Sequence, residues 1–519
     1  MISHSARLAA FIAALAAATA AAAGSDPDSD IVLHGTLNGT DNKTWHLVPF
    51  EVPPGTRRIT VDFDYDTRDA RTTIDLGLLG PDGLRGWSGG NKRSFTLSAT
   101  DATPSYLPGP LEQGQWNLLL GVPNIRRETH AEYTAHVRLE HGAMPSIESG
   151  TVLRKESGWY RGDLHMHTAH SDGTCLSQRQ QRVPCPVFFT ARAASERGLD
   201  FIAITDHNTV SQADSIRELQ PYFDTVLLIP GREITTFEGH ANLLGTLAPL
   251  DFRVGSPGVP DWNTLLARIE PAGAVVSINH PIRPSGEECM GCGWTPHGEV
   301  DYNRVQAIEV VNGLDADTPF SGVGFWEKLL NQGYRITAIG GSDNHDALRP
   351  PVNVESLRQP NDAGSPSPET LAKLKSNSGT IGTPTTVIYA AELSQEGILA
   401  AIRRGRVCID IVGTRDRVLD ISAAVGSRSV NMGGALEVYR GSTVRFQGTV
   451  QGVAGGRVVP VIDGRPLVTA KIPEFSGPTD SFEFSWRGDG KRHWVRADVR
   501  DASGHLVLVG NPVYLSPGQ

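Results

Sequence analysis

The middle of this 519-residue chain alternates short apolar runs with helical segments, which restricts the folds open to it. The runs are rich in β-branched residues, as expected of strands buried on both faces, and read LDFIAIT, TVLLIPG, GAVVSIN, VQAIEVV and YRITAIG. The predicted helices, most of them ended by a glycine, are Val187 to Arg197, Asp261 to Glu270, Phe325 to Gln332 and Ser394 to Arg404. Strand and helix repeated this often predict an α/β fold with a parallel sheet or barrel.

The two flanks of this region follow a different rhythm, in which apolar and polar residues alternate. Near the N-terminus the alternation includes Ile59, Val61 and Phe63, and after about residue 414 it returns in STVRFQGTV, SFEFSW and HWVRADV. Alternation broken by turn sequences is typical of antiparallel β-sandwiches. We therefore predict an N-terminal β-sandwich at 30–145, an α/β domain at 155–412 and a C-terminal β-sandwich at 415–519.

Residues 1–23 are typical of a cleaved signal peptide, because Arg7 precedes an apolar run that ends in small residues near Ala23. An uncleaved amphipathic segment is the alternative. No later stretch approaches the ~20 apolar residues of a membrane-spanning helix. We therefore expect no membrane span and a periplasmic or secreted location.

The formal net charge of -10 argues against nucleic acid as a partner, since phosphate backbones are bound by basic surfaces. A small-molecule substrate is expected, and an anionic one stays open if metal ions supply the positive charge. Contact with a cell surface or a polysaccharide through the β-sandwiches also stays open.

Four of the five cysteines form two pairs that are close in sequence, Cys175 with Cys185 and Cys289 with Cys292. Two local disulfides suit an exported protein and leave Cys408 single. A zinc site built on the four thiolates is the alternative, which oxidation disfavours.

Residues able to ligate a metal ion follow the ends of the apolar runs. In RGDLHMHTAHSDGTC, His165 and His167 would share one face of a strand, and Asp172 is close enough to turn back toward them. Further ligand types follow the later runs: Asp206, His207, Glu233, His240, His280, Asp343 and His345. Because the carboxyl ends of strands in parallel α/β folds meet at one crevice, these side chains are expected to converge. Positions 165 to 345 also hold eight of the sixteen histidines, so a set of unrelated structural histidines is a poor explanation.

Imidazole and carboxylate ligands without thiolates suit Zn²⁺, Mn²⁺ or Fe²⁺, and a set of this size can hold more than one ion. Two ions about 3.5–4 Å apart can share a carboxylate and a hydroxide, and each can polarise an oxygen of the bond to be cleaved. Glu233 lies midway among the ligand segments and is the predicted bridging carboxylate. The residue set therefore predicts hydrolysis by a metal-bridging hydroxide.

Several motifs in a fixed order resemble those of the polymerase and histidinol phosphatase (PHP) superfamily of metallohydrolases: DLHMHTAHSDG, ITDHNT, GREIT with GHAN, NHP and GSDNHD. The segment GTPTTVIYAAELSQEGILAAIRRGRV is similar to the end of that domain in its exported carbaryl-hydrolase-like branch. The resemblance covers residues 159–412, about half of the chain. It implies a distorted (β/α)7 PHP barrel, flanked here by the two β-sandwiches, with two or three divalent metal ions.

The resemblance also implies how the ligands divide. The first metal would be held by His165, His167, Glu233 and Asp343. The second would be held by Glu233, His240 and His280, and a third by His207 and His345 with Asp172. Phosphatases of the superfamily that bind three metals usually have a histidine near the position of Asp172, and His170 is close enough in sequence to replace it.

Other residues are candidates for the chemistry around the metals. Arg232 and Arg283 follow ligand-bearing strands and could grip a phosphate or carboxylate, or could pair with nearby acids. Asp206 could protonate a leaving group, but orienting His207 is the favoured role. In addition, Glu309 and Asn312 are expected to support the ligands, His297 is expected at the surface, and the Pro/Ser/Gly-rich loop 348–369 is expected to cover or border the site.

These observations predict a PHP-type metal-dependent hydrolase, with a phosphoester as the leading substrate class. That preference rests on the commonest chemistry of the superfamily and on the two arginines. One alternative is a carbamate or carboxylic ester hydrolase with the same metal centre. The other is a noncatalytic protein that binds a surface or glycan and carries a vestigial barrel.

Overall fold

The structure is a computed structural model that describes residues 29–141, 150–285, 289, 291–350, 379–467 and 474–518. The predicted signal peptide at 1–23 lies outside the described residues, as does loop 348–369 from residue 351 onward. Within the described ranges, every helix is too short or too polar to cross a membrane.

The N-terminal region consists of two four-stranded antiparallel sheets, ordered β1-β8-β3-β6 and β2-β7-β4-β5. The strands are β1 Ser29–Asn38, β2 Trp45–Val52, β3 Arg58–Tyr65, β4 Thr73–Gly80, β5 Gly83–Gly89, β6 Ser94–Ser98, β7 Gly114–Asn124 and β8 His130–Glu140. Alternate residues of the strands, among them Val61, Trp116 and Val137, are buried in one apolar core. Apolar residues at every second position therefore give each sheet one face that packs against the other.

The central region contains thirteen strands and all five α-helices of the described residues. The strands are β9 Val152–Arg154, β10 Gly158–Asp163, β11 Thr174–Leu176, β12 Arg182–Pro184, β13 Phe201–Ile204, β14 Leu227–Thr236, β15 Gly239–Leu244, β16 Val275–Ile278, β17 Ala307–Asn312, β18 Thr337–Gly341, β19 Thr385–Ala390 and β20 Leu393–Ser394; β21, Val407–Asp410, ends the region. The helices are α1 Val187–Glu196, α2 Ala213–Leu219, α3 Trp262–Ile269, α4 Val323–Gln332 and α5 Gln395–Arg404. Asp261 and Ser394 cap α3 and α5 through their side chains, which explains where these two helices begin.

The expected distorted (β/α)7 PHP barrel, and with it the α/β fold class, is wrong. Strand makes up 44% and helix 13% of the described residues, and five helices are too few for seven βα units. Nine of these strands form one mixed sheet in the order β18-β17-β16-β15-β14-β13-β10-β19-β21, which continues into strands of the C-terminal region, and β9–β20 and β11–β12 form two-stranded sheets. The pairs β14–β15, β15–β16, β10–β19 and β19–β21 are antiparallel.

One physical reason for this error is a strand that the apolar runs do not reveal: the pairs β13–β14, β16–β17 and β17–β18 are parallel, but β15 lies antiparallel between β14 and β16. Strands β14 and β15 are fully paired from Gly231 with Leu244 to Thr236 with Gly239. Two residues, Phe237 and Glu238, connect them, and so short a connection permits only a hairpin. The sequence of β15, GHANLL, is not one of the apolar runs from which strands were predicted, so this antiparallel strand was missed.

The C-terminal region is built from ten strands. They are β22 Val418–Val425, β23 Arg428–Asn431, β24 Ala435–Val438, β25 Thr443–Gln451, β26 Arg457–Ile462, β27 Arg465–Pro466, β28 Thr479–Arg487, β29 His493–Arg500, β30 Leu506–Gly510 and β31 Val513–Pro517. The sheet β23-β22-β25-β28 packs on the continuation of the central sheet around a core that includes Phe446 and Val495. Since β21 pairs with β30, one sheet runs from the central region into this one.

Candidate metal centre

The predicted metal ligands lie on or just after strands of the central sheet. His165 and His167 follow β10, His207 follows β13, Glu233 lies on β14, His240 on β15, His280 follows β16, and Asp343 and His345 follow β18. Two backbone hydrogen bonds hold these ends together, since His167 N donates to Asn344 O and Asn208 N donates to Glu233 O, both at 2.8 Å. The strand ends therefore converge although the sheet is not the expected barrel.

The first group of ligands consists of His165, His167 and Asp343, with Glu233 beside them. His165 Nε2 lies 3.4 Å from both Glu233 Oε1 and Asp343 Oδ1. His167 Nε2 lies 3.5 Å from Glu233 Oε2 and 3.2 Å from Asp343 Oδ1. Each imidazole therefore contacts the same two carboxylates.

The second group consists of Glu233, His240 and His280, all buried. His240 Nδ1 and His280 Nε2 each lie 3.3 Å from Glu233 Oε1. Glu233 thus contacts histidines of both groups, as the bridging position predicted for it requires. Asn279 Nδ2 also donates to Glu233 Oε1 at 2.9 Å, which fixes the carboxylate between them.

The third group consists of His167, Asp172, His207 and His345. Asp172 Oδ1 lies 3.6 Å from His207 Nε2 and 3.4 Å from His345 Nε2. The side chain of Asp172 is 58% exposed, so this group opens to solvent. His170, the other candidate for this ligand position, contacts Ser211 Oγ instead. Asp172 is therefore the residue that joins the third group.

The unpaired nitrogens of the first group fit a cation. His165 Nε2 and both ring nitrogens of His167 are buried without a hydrogen-bond partner. Leaving a buried polar atom unsatisfied costs about 1–3 kcal/mol. Two ligands about 2.1 Å from a tetrahedral ion lie about 3.4 Å apart, which matches the nitrogen–oxygen distances in the group. The residues present therefore fit divalent metal ions.

Burial and mutual contact set the pKa values of the centre. Burial and the neighbouring His345 lower the pKa of His167 to about 3, so this ring is neutral and has a lone pair to donate. Burial opposes the charged form of His165, but Glu309, Asp343 and Glu233 raise its pKa well above the usual value. In turn, and against the effect of burial, the histidines hold the pKa of Glu233 well below its usual range. The centre is therefore a set of carboxylates whose counter-charges are protonated imidazoles, which a cation can replace.

Backbone strain accompanies the ligands. His280 and Asp343 have φ of 27° and 53°, and Asn208, next to His207, has φ of 54°. Left-handed conformations of residues other than glycine cost about 1–3 kcal/mol and concentrate at functional sites. The surrounding sheet holds these ligands in place against that cost.

Residues around the ligands orient them. Glu309 Oε1 lies 3.1 Å from His165 Nδ1, and Glu309 Oε2 accepts from His280 N at 3.0 Å and from Asn312 Nδ2 at 2.9 Å. This placement of Glu309 and Asn312 matches the supporting role expected for them. With His165 and His280, Glu309 also completes a further group of three ligand atoms.

Asp206 is fully buried and does not contact His207 in the expected way. Its carboxylate accepts from Thr168 N and Thr168 Oγ1, both at 2.8 Å, and from Ser171 Oγ at 2.6 Å. These bonds fix the segment that carries His167 and Asp172. Asp206 therefore acts on the ligands through this segment.

The two arginines already have partners. Arg283 Nε donates to Asp315 Oδ2 at 2.9 Å; Asp315 is buried and Arg283 is partly buried. Arg232 Nη2 donates to Ala248 O at 2.6 Å. Because adjacent residues of a strand face opposite sides, Arg232 points away from Glu233, and the structure does not bring it to the ligands.

Sequence reasoning missed three residues that support the centre. Asn279 holds Glu233, Thr235 Oγ1 contacts His207 Nδ1 at 2.6 Å, and Asp315 pairs with Arg283. For Asn279 a signal existed, because a polar amide directly before His280 ends a buried strand. His297 pairs with Glu238 and its side chain is 89% exposed, in agreement with the surface position expected for it.

The cysteines lie in the pairs that sequence spacing suggested. The Cα atoms of Cys175 and Cys185 are 5.0 Å apart, and those of Cys289 and Cys292 are 5.6 Å apart. Both pairs are disulfide-bonded, and Cys408 is free and buried.

Comparison with known proteins identifies no family for the chain. No protein-family model matches it, and no curated protein matches it either. Among solved structures, the fibronectin(III)-like modules of Clostridium thermocellum CbhA are 14% identical, with 19% of this chain and 97% of that chain covered and a TM-score of 0.14. A TM-score this low does not define a shared fold.

Proposed function

We propose that this protein is a metal-dependent hydrolase of a small ester, with a phosphoester as the leading substrate class. One observation carries the proposal. All nine predicted metal ligands lie in three adjoining groups, joined by the contacts of Glu233 and by His167. Random placement of histidines would leave most of them apart. The PHP-like order of the motifs supports the same function. The fold adds no support, because the expected (β/α)7 barrel is not observed.

The first ion would be held by His165, His167 and Asp343 with Glu233, the second by Glu233, His240 and His280, and the third by His167 or its neighbours Asp172, His207 and His345. Divalent ions bound there would supply Lewis-acid polarisation of the ester and would lower the pKa of water. Zn²⁺, Mn²⁺ and Fe²⁺ all accept such nitrogen and oxygen ligands.

The side chains of the protein itself orient the reaction. Asn279 and five histidines contact Glu233 at the centre, where its carboxylate is held ionised. Asp206 fixes the segment of Asp172, which forms the solvent-exposed side of the centre where substrate can approach. The Arg283 guanidinium interacts with Asp343 as well, while its direct partner is Asp315.

Charge favours a phosphoester when three ions are bound. Four carboxylates belong to the ligand groups: Glu233, Asp343, Asp172 and Glu309. With neutral imidazoles, two divalent ions would leave the centre neutral, whereas three would leave it with two positive charges. A positive, partly enclosed centre attracts a phosphate anion, because charges interact strongly where water is scarce.

A second candidate, a carbamate or carboxylic ester hydrolase, is favoured by the arginines. Arg283 is neutralised by Asp315, and Arg232 is directed away from the ligands. The grip on phosphate that these two residues were expected to provide is therefore weakened. A neutral substrate at a centre with two ions needs no such grip.

The experiment is a substrate panel on untagged protein loaded with Mn²⁺ or Zn²⁺, with bound metal counted by mass spectrometry. We expect turnover of p-nitrophenyl phosphate by protein that holds three ions. Turnover of naphthyl carbamates alone would replace the phosphoester with the second candidate. Retention of glycans with no hydrolysis of either class would indicate a noncatalytic binding protein.

A matched pair of variants tests the ligand assignment. Glu233→Ala should remove turnover and lower the bound metal. Glu238→Ala, five positions later on the same hairpin, should keep both, because Glu238 contacts the exposed His297. Undiminished metal and turnover in Glu233→Ala would overturn the proposal.

A further inference from the structure

One cluster of metal-ligating atoms includes two residues, Cys289 and Cys292, that belong to none of the groups described above. His240, Cys289 and Cys292 each offer a ligand atom, and these atoms lie within 4.8 Å of one another. His240 belongs to the second group as well, where it contacts Glu233. The cysteine pair therefore adjoins the proposed metal centre directly.

The segment of these cysteines also contacts the other histidine of the second group. His280 Nδ1 donates to Cys292 O at 3.0 Å, which leaves His280 Nε2 directed at Glu233. A backbone carbonyl that accepts from the far nitrogen of a ligating histidine fixes its tautomer and orientation. The state of the cysteine pair can thus influence both His240 and His280.

Close packing holds this segment against the hairpin of β14 and β15. Gly291, between the two cysteines, has φ of 76°, and a Cβ there would meet Thr236 O at 1.9 Å. A Cβ on Gly239, next to His240, would meet the ring of Trp294 at 2.4 Å. A Cβ at either position would force its neighbours to shift, so the cysteine segment packs tightly against the hairpin that carries His240.

We propose that Cys289, Cys292 and His240 form a redox-controlled site for a thiophilic divalent ion such as Zn²⁺. In the oxidised protein the disulfide occupies both sulfurs, and the cysteine segment serves only to orient His280. In the reduced protein two thiolates become available beside the His240 imidazole, and Zn²⁺ accepts these three ligands with water as the fourth.

The redox step balances with a dithiol or a phosphine as the reductant. The Cys289–Cys292 bond breaks, the reductant supplies two electrons, and each sulfur takes up one proton. The dithiol is oxidised to its own disulfide, or the phosphine to its oxide with oxygen from water. Metal binding then releases the two thiol protons to solvent, because thiolate is the ligand.

His240 belongs to both the cysteine cluster and the second metal group, so reduction should affect hydrolysis. This part of the inference rests on the proposed function. A neutral imidazole coordinates through one nitrogen, since the other carries a proton. The thiolate site and the Glu233–His240–His280 group therefore compete for one ring. Reduction should lower hydrolysis by about ten- to hundred-fold, the range seen when support of a metal ligand is lost.

Cobalt absorption spectroscopy tests the site without relying on activity. Untagged full-length protein is stripped of metal, titrated with Co²⁺, and measured before and after reduction with a phosphine, which has no thiol to bind cobalt. We expect the near-ultraviolet thiolate-to-cobalt charge-transfer band after reduction and not before. Absence of this band in the reduced wild-type protein would overturn the proposal, and this result does not depend on any variant folding.

Two paired variants assign the band. The double substitution C289S/C292S should abolish it, whereas C175S/C185S, which removes the other disulfide, should retain it on reduction. A band of equal intensity in reduced C289S/C292S would overturn the assignment. The two proposals fail separately, because hydrolysis by oxidised protein tests the function and the band in reduced protein tests the thiolate site.

Discussion

The candidate metal centre and the Arg161–Asp410 pair are both clusters of buried charge in the central region, yet they are built differently. Asp410 accepts from Arg161 Nη2 at 2.7 Å and from Thr414 N and Thr414 Oγ1 at 2.7 Å each. Arg161 also donates to the carbonyl oxygens of Arg417 at 2.7 Å and Thr414 at 2.5 Å. By contrast, His165 and His167 leave buried nitrogens without hydrogen-bond partners.

The difference shows what distinguishes a structural ion pair from a ligand set. An arginine is always charged and satisfies a buried carboxylate permanently. A histidine can give up its proton, so a carboxylate surrounded by histidines can exchange protons for a cation. The first arrangement is complete as it stands, whereas the second is satisfied only when a cation is added.

We expect the largest loss of stability from breaking the Arg161–Asp410 pair. Arg161→Met leaves Asp410 buried without its counter-charge, which should cost about 3–5 kcal/mol of unfolding free energy. Denaturant titration with and without a chelator measures the loss, which should be the same in both. The control is Arg154→Met, which removes the more exposed pair with Asp200 and should cost at most about 1 kcal/mol. Equal losses in the two variants would contradict the distinction.

The next largest effect comes from removing metal, and it should depend on pH. A bound ion at a hundredfold of its dissociation constant contributes about 2.7 kcal/mol of stability. In the metal-free protein, burial opposes the charged form of His345, but Asp172 and Asp343 raise its pKa to about 9. A raised histidine pKa stabilises the fold below its usual value of about 6.5, and that contribution is lost as pH rises through the folded pKa.

The stability of chelated protein should therefore fall between about pH 6.5 and pH 9, while metal-loaded protein keeps its stability over that range. Thermal unfolding at several pH values, with Mn²⁺ or with chelator, measures both curves. Parallel curves would contradict the idea that protons and cations exchange at this centre.

A smaller effect tests how the third group is positioned. Asp206→Asn weakens the bonds that hold Thr168 and Ser171, so Asp172 loses its fixed position. Metal affinity should fall by about ten- to hundred-fold, the usual result of losing such support. Isothermal titration with Zn²⁺ measures the affinity, and Ser171→Ala, which removes one of the bonds, should show a smaller loss. An unchanged affinity in Asp206→Asn would show that the segment of Thr168 to Asp172 keeps its position without the Asp206 carboxylate.

These regions were not equally predictable from sequence. The ligands could be found because each follows an apolar run within a few residues, so short motifs such as GSDNHD carry the information. Strand β15 was missed, because GHANLL is not a continuous apolar run, although the two-residue connection to β14 encodes a hairpin. The Arg283–Asp315 pair was not predictable, because 32 positions separate its members and no local pattern links them.

The smallest effect concerns a third cluster, which has the chemistry of the metal centre but not its burial. His493 Nδ1 and Nε2 lie 2.5 Å from Asp463 Oδ2 and 2.9 Å from Asp489 Oδ1, and the two acids are 37% and 44% exposed. Burial opposes the charged form of His493, but these carboxylates raise its pKa. Its stabilisation is therefore present below about pH 6.5 and is lost as pH rises through the folded pKa.

Because solvent screens this cluster, His493→Gln should cost no more than about 1 kcal/mol below pH 6.5, with less effect at higher pH. Both nitrogens of His493 already contact a carboxylate, so a chelator should not alter the loss. Denaturant titration at two pH values, each with and without chelator, provides the measurement. A loss that changes with chelator would mean that contact between a histidine and carboxylates is enough to bind a metal ion. Buried nitrogens without hydrogen-bond partners would then no longer distinguish a metal centre from a structural charge cluster.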